Sequence, residues 1–313
     1  MKRLLLLISA LLLLIGCTEK TTAHSAAGIA CDTVVTVTAY APQQTVDETM
    51  KVIADYEAVL SKTIEGSDVW RLNHAEGMPV EVHPETAALL KLAVEIGKAS
   101  EGAFDVTIAA ASAMWDFASD DPAIPDADAL RAAVARIDYR NVVIEGNTVM
   151  LLNGAEIDLG GIAKGYIADR VADYLRGKGV TSACINMGGN VVAIGTKPNG
   201  ERWTVGVRDP NGTPDQSEEV LLIEDAAVVT SGNYERFFLR DGVRYHHILD
   251  PKTGMPVMNG LASVTVIGAR SDLCDALSTA CFVLGEEGSE ALLARYGVRA
   301  IFLYSDGTRL AYP

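Results

Sequence analysis

The sequence predicts an α+β fold in which mixed sheets are flanked by helices. Three observations carry this. Strand-like and helix-like periodicities alternate along the chain, some strand signals pair as hairpins, and 49% of the residues are hydrophobic, enough for a sizeable core. The pattern is compatible with βαβ units as well as hairpins. No internal repeat and no further long apolar segment interrupts it.

The first element is an address. Lys2 and Arg3 precede Leu4 to Ile15, an apolar run of 12 residues broken only by Ser9. A membrane-spanning helix needs about 20 apolar residues, so this run reads as the core of a signal peptide. It ends in Leu14-Ile15-Gly16-Cys17, which looks like a bacterial lipobox, with Cys17 as the lipidated residue. An ordinary signal peptide with a chance cysteine is the alternative. Residues 1–16 are therefore expected to be removed, residues 17–30 to form a flexible tether, and residues 31–313 to form the folded domain. The expected location is a bacterial membrane surface, with the domain on the extracytoplasmic side.

The remaining elements follow in order. Thr33 to Tyr40 is rich in β-branched residues and predicts a strand. Thr45 to Thr63 places Val46, Met50, Ile53 and Leu60 at helical spacing. Glu85 to Ser100 reads as a second helix, with Pro84 at its start and Gly102 just beyond it. Pro125 to Ile137 reads as a third helix. Asn141–Ile144 and Thr148–Leu152 flank Glu145-Gly146-Asn147 as a hairpin. A helix from Ile162 to Leu175, a strand at Ala183–Ile185 and several strands between Trp203 and Val266 come next. The last helices are expected at Leu273–Leu284 and Ser289–Tyr296.

Charge excludes some functions. The chain carries 26 basic and 41 acidic residues, a net −15, and loss of Lys2 and Arg3 takes this to −17. Such a balance argues against nucleic acid and against a basic membrane-binding face. Five cysteines show no CxxC or zinc spacing. Cys184, Cys274 and Cys281 lie in apolar stretches and are expected to be buried thiols.

Three segments carry chemistry. In IDLGGIAKGYIAD (157–169), Asp158 and a glycine pair precede a helix with Lys164 in its first turn. Helix N-terminal amides and a bare backbone suit phosphate, although neither GxGxxG nor a P-loop is present. A plain strand–turn–helix joint accounts for the spacing equally well. In DALSTACFVLG (275–285), Asp275, Ser278 and Thr279 stand at i, i+3 and i+4, a hard-oxygen set suited to Mg²⁺. Helix capping and back-bonding hydroxyls are the alternative there. In HHILDPKTGMP (246–256), strand alternation prevents His246 and His247 from facing one site together.

Together with SDVWRLN (67–73), GAFDVTIAAASAMWDF (102–117), INMGGN (185–190) and VVTSGNYERFF (228–238), these segments resemble the ApbE family of flavin transferases. The resemblance spans nearly the whole mature chain. It implies an ApbE-like fold with a T-fold-like core, FAD as substrate and Mg²⁺ as cofactor. The implied activity moves FMN from FAD onto a threonine or serine hydroxyl of an acceptor protein, releasing AMP. The acceptor is implied to be a segment with an Asp-Gly-x-Thr-like motif in a membrane redox complex. The metal is implied to sit on Asp275, Thr279 and the carbonyl of Gly161, with Ser278 where some members carry a carboxylate. Flavin and phosphate contacts are implied for Ala103, Phe104, Asp105, Asp158, Lys164, Ile248 and Met78. His247 is the implied base, with His246 in reserve. Two alternatives share these residues: a pyrophosphatase hydrolysing FAD to FMN and AMP, and a non-catalytic FAD-binding lipoprotein.

Overall fold

The computed structural model describes residues 22–117, 119, 121–213 and 216–313. The expected signal peptide and Cys17 lie outside the described residues. Among the described residues no helix is long and apolar enough to cross a membrane.

The molecule is organised on an eight-stranded sheet. In spatial order its strands are His24–Ala30, Thr33–Ala39, Ala183–Met187, Asn190–Ile194, Ala227–Gly232, Leu261–Gly268, Arg299–Tyr304 and Arg309–Tyr312. Spatial order is chain order, and every neighbouring pair is antiparallel. The expected α+β class holds, but the βαβ units do not occur in this sheet. Helical connections instead leave and re-enter at the same end. The helical run Ser271–Tyr296, which joins two such neighbours, breaks midway at Gly285 (φ 74°, ψ 177°). That break separates the two helices expected from the sequence.

Both faces of the sheet are covered. Helices Gln43–Leu60, Ala163–Gly177 and Ser271–Tyr296 pack with one face through Val46, Ile53, Ile167, Val171, Leu277 and Phe282, all buried. The hairpin Trp203–Arg208/Ser217–Ile223 covers the other, burying Trp203, Val205 and Ile223 against Val191, Val228 and Ile301. Strand Leu261–Gly268 is buried almost throughout, and its two polar residues, Ser263 and Thr265, are buried with it.

The expected tether needs correction. His24–Ala30, inside the 17–30 segment, is a strand paired with Thr33–Ala39 from His24↔Ala39 to Ala30↔Thr33. Between His24 and Ile29 its residues are small, and Ile29 points to solvent at 85% exposure. It has no alternation of large apolar side chains for a sequence pattern to detect. The joining turn puts both Cys31 (φ 51°) and Asp32 (φ 57°) in the left-handed region, as a two-residue hairpin of the primed type requires. Ordered pairing thus begins by residue 24.

Elsewhere the expected elements shift by a residue or two. The helix at Pro125–Ile137 is shorter, Ala127–Val134, and Asp126 caps it by accepting from Asp128 N and Ala129 N. Cys31, Cys184, Cys274 and Cys281 are free thiols. Cys274 and Cys281 are buried, and burial pushes the Cys281 thiol up to about 12.

Candidate active site

One end of the sheet opens into a cleft of about 1060 Å³. Its walls are the Cys31-Asp32 turn, the end of strand Ala227–Gly232, the loop at 103–105 and the start of helix Ala163–Gly177. His247, Ile248, Asp275 and Thr279 close the other side.

The two helix starts meet unusually closely. A Cβ on Gly165 would lie 2.3 Å from Ser271 O and 2.8 Å from Asp275 Cβ, so only glycine permits the crossing. Asp275, 3% exposed, accepts from Gly165 N through Oδ2 at 2.8 Å. Its Oδ1 stands 4.0 Å from Lys164 Nζ, which also donates to Gly160 O at 3.0 Å. Thr279 Oγ1 lies where a Cβ on Gly161 would come within 3.4 Å. Asp275, Thr279 and Gly161 are therefore neighbours on the cleft wall, all bearing hard oxygen. Among the described residues no cluster of three or more His, Cys, Asp or Glu could hold a metal. A cation here would need ligand phosphate and water to complete its coordination, as Mg²⁺ usually does. The donor set fits that ion.

Ser278 departs from expectation. It is fully buried, does not line the cleft, and bonds Ser231 Oγ at 2.8 Å and Asp275 O at 2.9 Å. At 3.6 residues per turn, Ser278 and Thr279 point about 100° apart, and only Thr279 reaches the cleft. Met78 is a second correction. It is 67% exposed, sits in the turn after helix Asp68–Asn73, and does not line the cleft. A medium-sized apolar residue at roughly the expected distance gave no means of telling this surface turn from the cleft; Lys62 and Thr63 line it instead.

Asp158 and Lys62 form the floor. Lys62 Nζ donates to Asp158 Oδ2 at 2.6 Å, Ser112 Oγ to the same oxygen at 3.3 Å, and Gly160 N to Oδ1 at 2.8 Å. Burial would raise the Asp158 carboxyl, but Lys62 and these bonds outweigh it and hold the group below the usual carboxylate range. Asp105 differs. Thr107 N and Oγ1 donate to its Oδ1 and Tyr139 N to its Oδ2, so its carboxylate folds the loop that presents Ala103 and Phe104. Burial pushes its carboxyl up.

The two histidines separate: His246 is the last residue of strand Val243–His246, and His247 follows in a bend beyond it. His246, 2% exposed, donates Nε2 to Val257 O at 2.9 Å and accepts from Ile248 N through Nδ1. It is a core residue with its edge against Phe282. His247 opens onto the cleft and is exposed there. Partial desolvation by the cleft walls, then the Arg236 and Lys164 charges, pushes it down from 6.5 toward about 4. It is a neutral imidazole at neutral pH.

No chemical pattern in the sequence marks Lys62, Ser231 or Arg236: Ser231 and Arg236 lie within VVTSGNYERFF (228–238), and Lys62 lies in none of the ApbE-like segments. Trp115 and Phe117, also in one of these segments, stack at 5.8 Å on the rim, and Trp115 Nε1 donates to Gly254 O.

An antiparallel sheet whose end carries lysines, helix N-termini and a hard-oxygen corner defines a pocket for a large phosphate-bearing ligand. The chain belongs to the ApbE family, whose profile matches residues 31–302. An FAD:protein FMN transferase of Treponema pallidum (strain Nichols) is 41% identical over 278 residues, covering 83% of this chain and 77% of that protein. One from Klebsiella pneumoniae (strain 342) is 40% identical over 258 residues, covering 81% and 80%. The crystal structure of the ApbE protein from Thermotoga maritima MSB8 superposes with a TM-score of 0.85 at 33% identity, covering 92% of this chain and 96% of that one. The apo flavinyl transferase ApbE of Pseudomonas stutzeri gives 0.82 at 29% identity, covering 93% and 94%.

Proposed function

We propose that this chain is an FAD:protein FMN transferase that moves FMN from FAD to a threonine or serine hydroxyl of another protein and releases AMP. The observation that carries this reading is the convergence of His247, Lys164, Asp275, Thr279 and Gly161 on one cleft in a member of this family.

The acceptor hydroxyl attacks the phosphorus of the FMN half, the bond to the AMP phosphate breaks, and the hydroxyl proton must leave. His247, neutral at working pH, takes that proton. Lys164 neutralises phosphate charge from the first turn of helix Ala163–Gly177. Asp275, Thr279 and Gly161 would hold Mg²⁺, which supplies further charge neutralisation at the phosphoryl oxygens. Phe104, Ala103 and Ile248 give the cleft its apolar wall, and Asp158 a polar floor for the flavin. In this reading the chain is exported and anchored through Cys17, supported by the charged start, apolar run and lipobox-like end. Its acceptor is an exported segment with an Asp-Gly-x-Thr-like motif in a membrane redox complex.

The test incubates the protein with FAD, Mg²⁺ and a peptide bearing that motif, then weighs the peptide. An FMN adduct that depends on Mg²⁺, Asp275 and His247 is expected. Free FMN and AMP with an unmodified peptide would favour hydrolysis; intact bound FAD would leave only a carrier.

A further inference from the structure

The two helices that frame the proposed cation position cap each other. Helix Ala163–Gly177 has no side-chain cap of its own at Ile162, and its Gly165 N donates across to Asp275 Oδ2 at 2.8 Å. Helix Ser271–Tyr296 likewise has none at Arg270. Its first two amides, Ser271 N and Asp272 N, donate back to Asp169 Oδ1 at 3.0 Å and Oδ2 at 2.9 Å. Each helix start is thus closed by a carboxylate of the other, one turn apart on either side of the Gly165 crossing.

This exchange has a directional consequence. A helix start leaves amides without intrahelical partners, and a carboxylate that accepts two of them fixes that end in both position and rotation. Asp169 therefore sets where the Ser271–Tyr296 helix begins relative to the Ala163–Gly177 helix. Asp275 and Thr279 lie on the first, and Lys164 lies on the second with Gly161 just ahead of it. Asp275 spends one oxygen on Gly165 N, so its free Oδ1 reaches the cleft only while this register holds.

We propose that Asp169, which does not line the cleft, is a positioning residue for the cation site: it holds Asp275 and Thr279 in register with Gly161 and Lys164. The inference rests on the Mg²⁺ reading given above. Carboxylates that orient metal-binding groups without touching the metal typically change metal affinity by 10–100-fold when removed.

The experiment uses the full protein, its Asp169→Ala and Asp169→Asn variants, and Mn²⁺ as the probe. Mn²⁺ binding is followed by electron paramagnetic resonance with ADP present, so that no transfer occurs. FAD affinity without divalent metal and the thermal midpoint are measured alongside. The expected result is Mn²⁺ affinity lowered by roughly 10–100-fold in Asp169→Ala and by less in Asp169→Asn, with metal-free FAD affinity unchanged. Asn can still accept one of the two amides, so it keeps the fold testable if the alanine variant unfolds. A variant that melts earlier but binds Mn²⁺ like the parent would overturn the proposal and leave Asp169 a stability residue only. A parent protein that binds no Mn²⁺ would overturn the cation reading itself.

Discussion

Lys62 and Asp158, 96 residues apart in the chain, meet at 2.6 Å on the floor of the cleft. Lys62 leaves the end of helix Gln43–Leu60, and Asp158 precedes the glycine pair that opens helix Ala163–Gly177. The pair ties the end of helix Gln43–Leu60 to the start of helix Ala163–Gly177 at the cleft floor. It also keeps Asp158 ionised in a half-buried position, against the burial that would neutralise it.

Replacing Lys62 by Met should therefore act through Asp158. The carboxylate loses its counter-charge, its pKa rises, and the loss of stability is expected to be about 1–2 kcal/mol, less than for a fully buried pair because Lys62 is partly solvated. The sign over pH follows from a depressed carboxyl. The pair's contribution is present above the ordinary carboxylate pKa and fades as pH falls through the lowered one. Denaturant midpoints of Lys62→Met, Asp158→Asn and the double variant check this, and simple additivity would count against the coupling.

The histidines should respond in opposite ways. His247→Ala is expected to lower transfer by about 10²–10⁴-fold while leaving the melting temperature and FAD affinity intact. His246→Ala strips partners from Val257 O and Ile248 N in the core and should cost about 1–3 kcal/mol of stability. In the free protein His247 should titrate near 4, followed by NMR of labelled imidazoles. Bound phosphate, being anionic, should raise that midpoint. A free-protein midpoint at 6.5 would mean that the cleft does not desolvate the ring as described. Between 6.5 and about 4 the unfolded chain binds the proton and the folded one does not, so acid weakens the fold through this group.

What the sequence made legible follows from which information is local. Helical periods located Val46, Ile53, Ile167 and Val171 because burial on one helix face repeats within a few residues. Alternation led to the expectation that only one of His246 and His247 serves the site; His246 is taken out of it by Val257, 11 residues on, and by Phe282, far away in the chain. The strand His24–Ala30 escaped because alanine, serine and glycine carry no pattern. Ser278 looked like a partner of Thr279 because both neighbour Asp275 by spacing; helical rotation and Ser231 turn it away. Lys62 and Asp169 act only across long sequence separations, so no motif reading could assign them a role.

Removing the divalent ion should leave FAD bound but untransferred. The apolar wall and Lys164 hold the ligand without it, whereas charge at the breaking phosphoryl bond then lacks most of its compensation. Excess chelator is expected to abolish the peptide adduct, and restored Mg²⁺ to recover it. Thr279→Val should shift the Mg²⁺ requirement upward without changing metal-free FAD affinity, as measured by flavin fluorescence. Transfer that persists in chelator would sink the assignment of Asp275 and Thr279 to a cation.

Gly165→Ala is the most direct test of the crossing on which the site depends. Its new methyl would meet Ser271 O at 2.3 Å and Asp275 Cβ at 2.8 Å. The nearest obstacle is backbone at a helix start, which has no rotamer to give, so the two helices must separate. Overpacking of this kind costs about 1–3 kcal/mol, occasionally more. Gly165 is helical and buried, so alanine's better helix propensity offers under about 1 kcal/mol in return. The expected outcome is a lower denaturant midpoint together with loss of transfer, because separation also draws Asp275 away from Gly165 N and Lys164. An alanine variant as stable and as active as the parent would show that the helices do not approach this closely in solution.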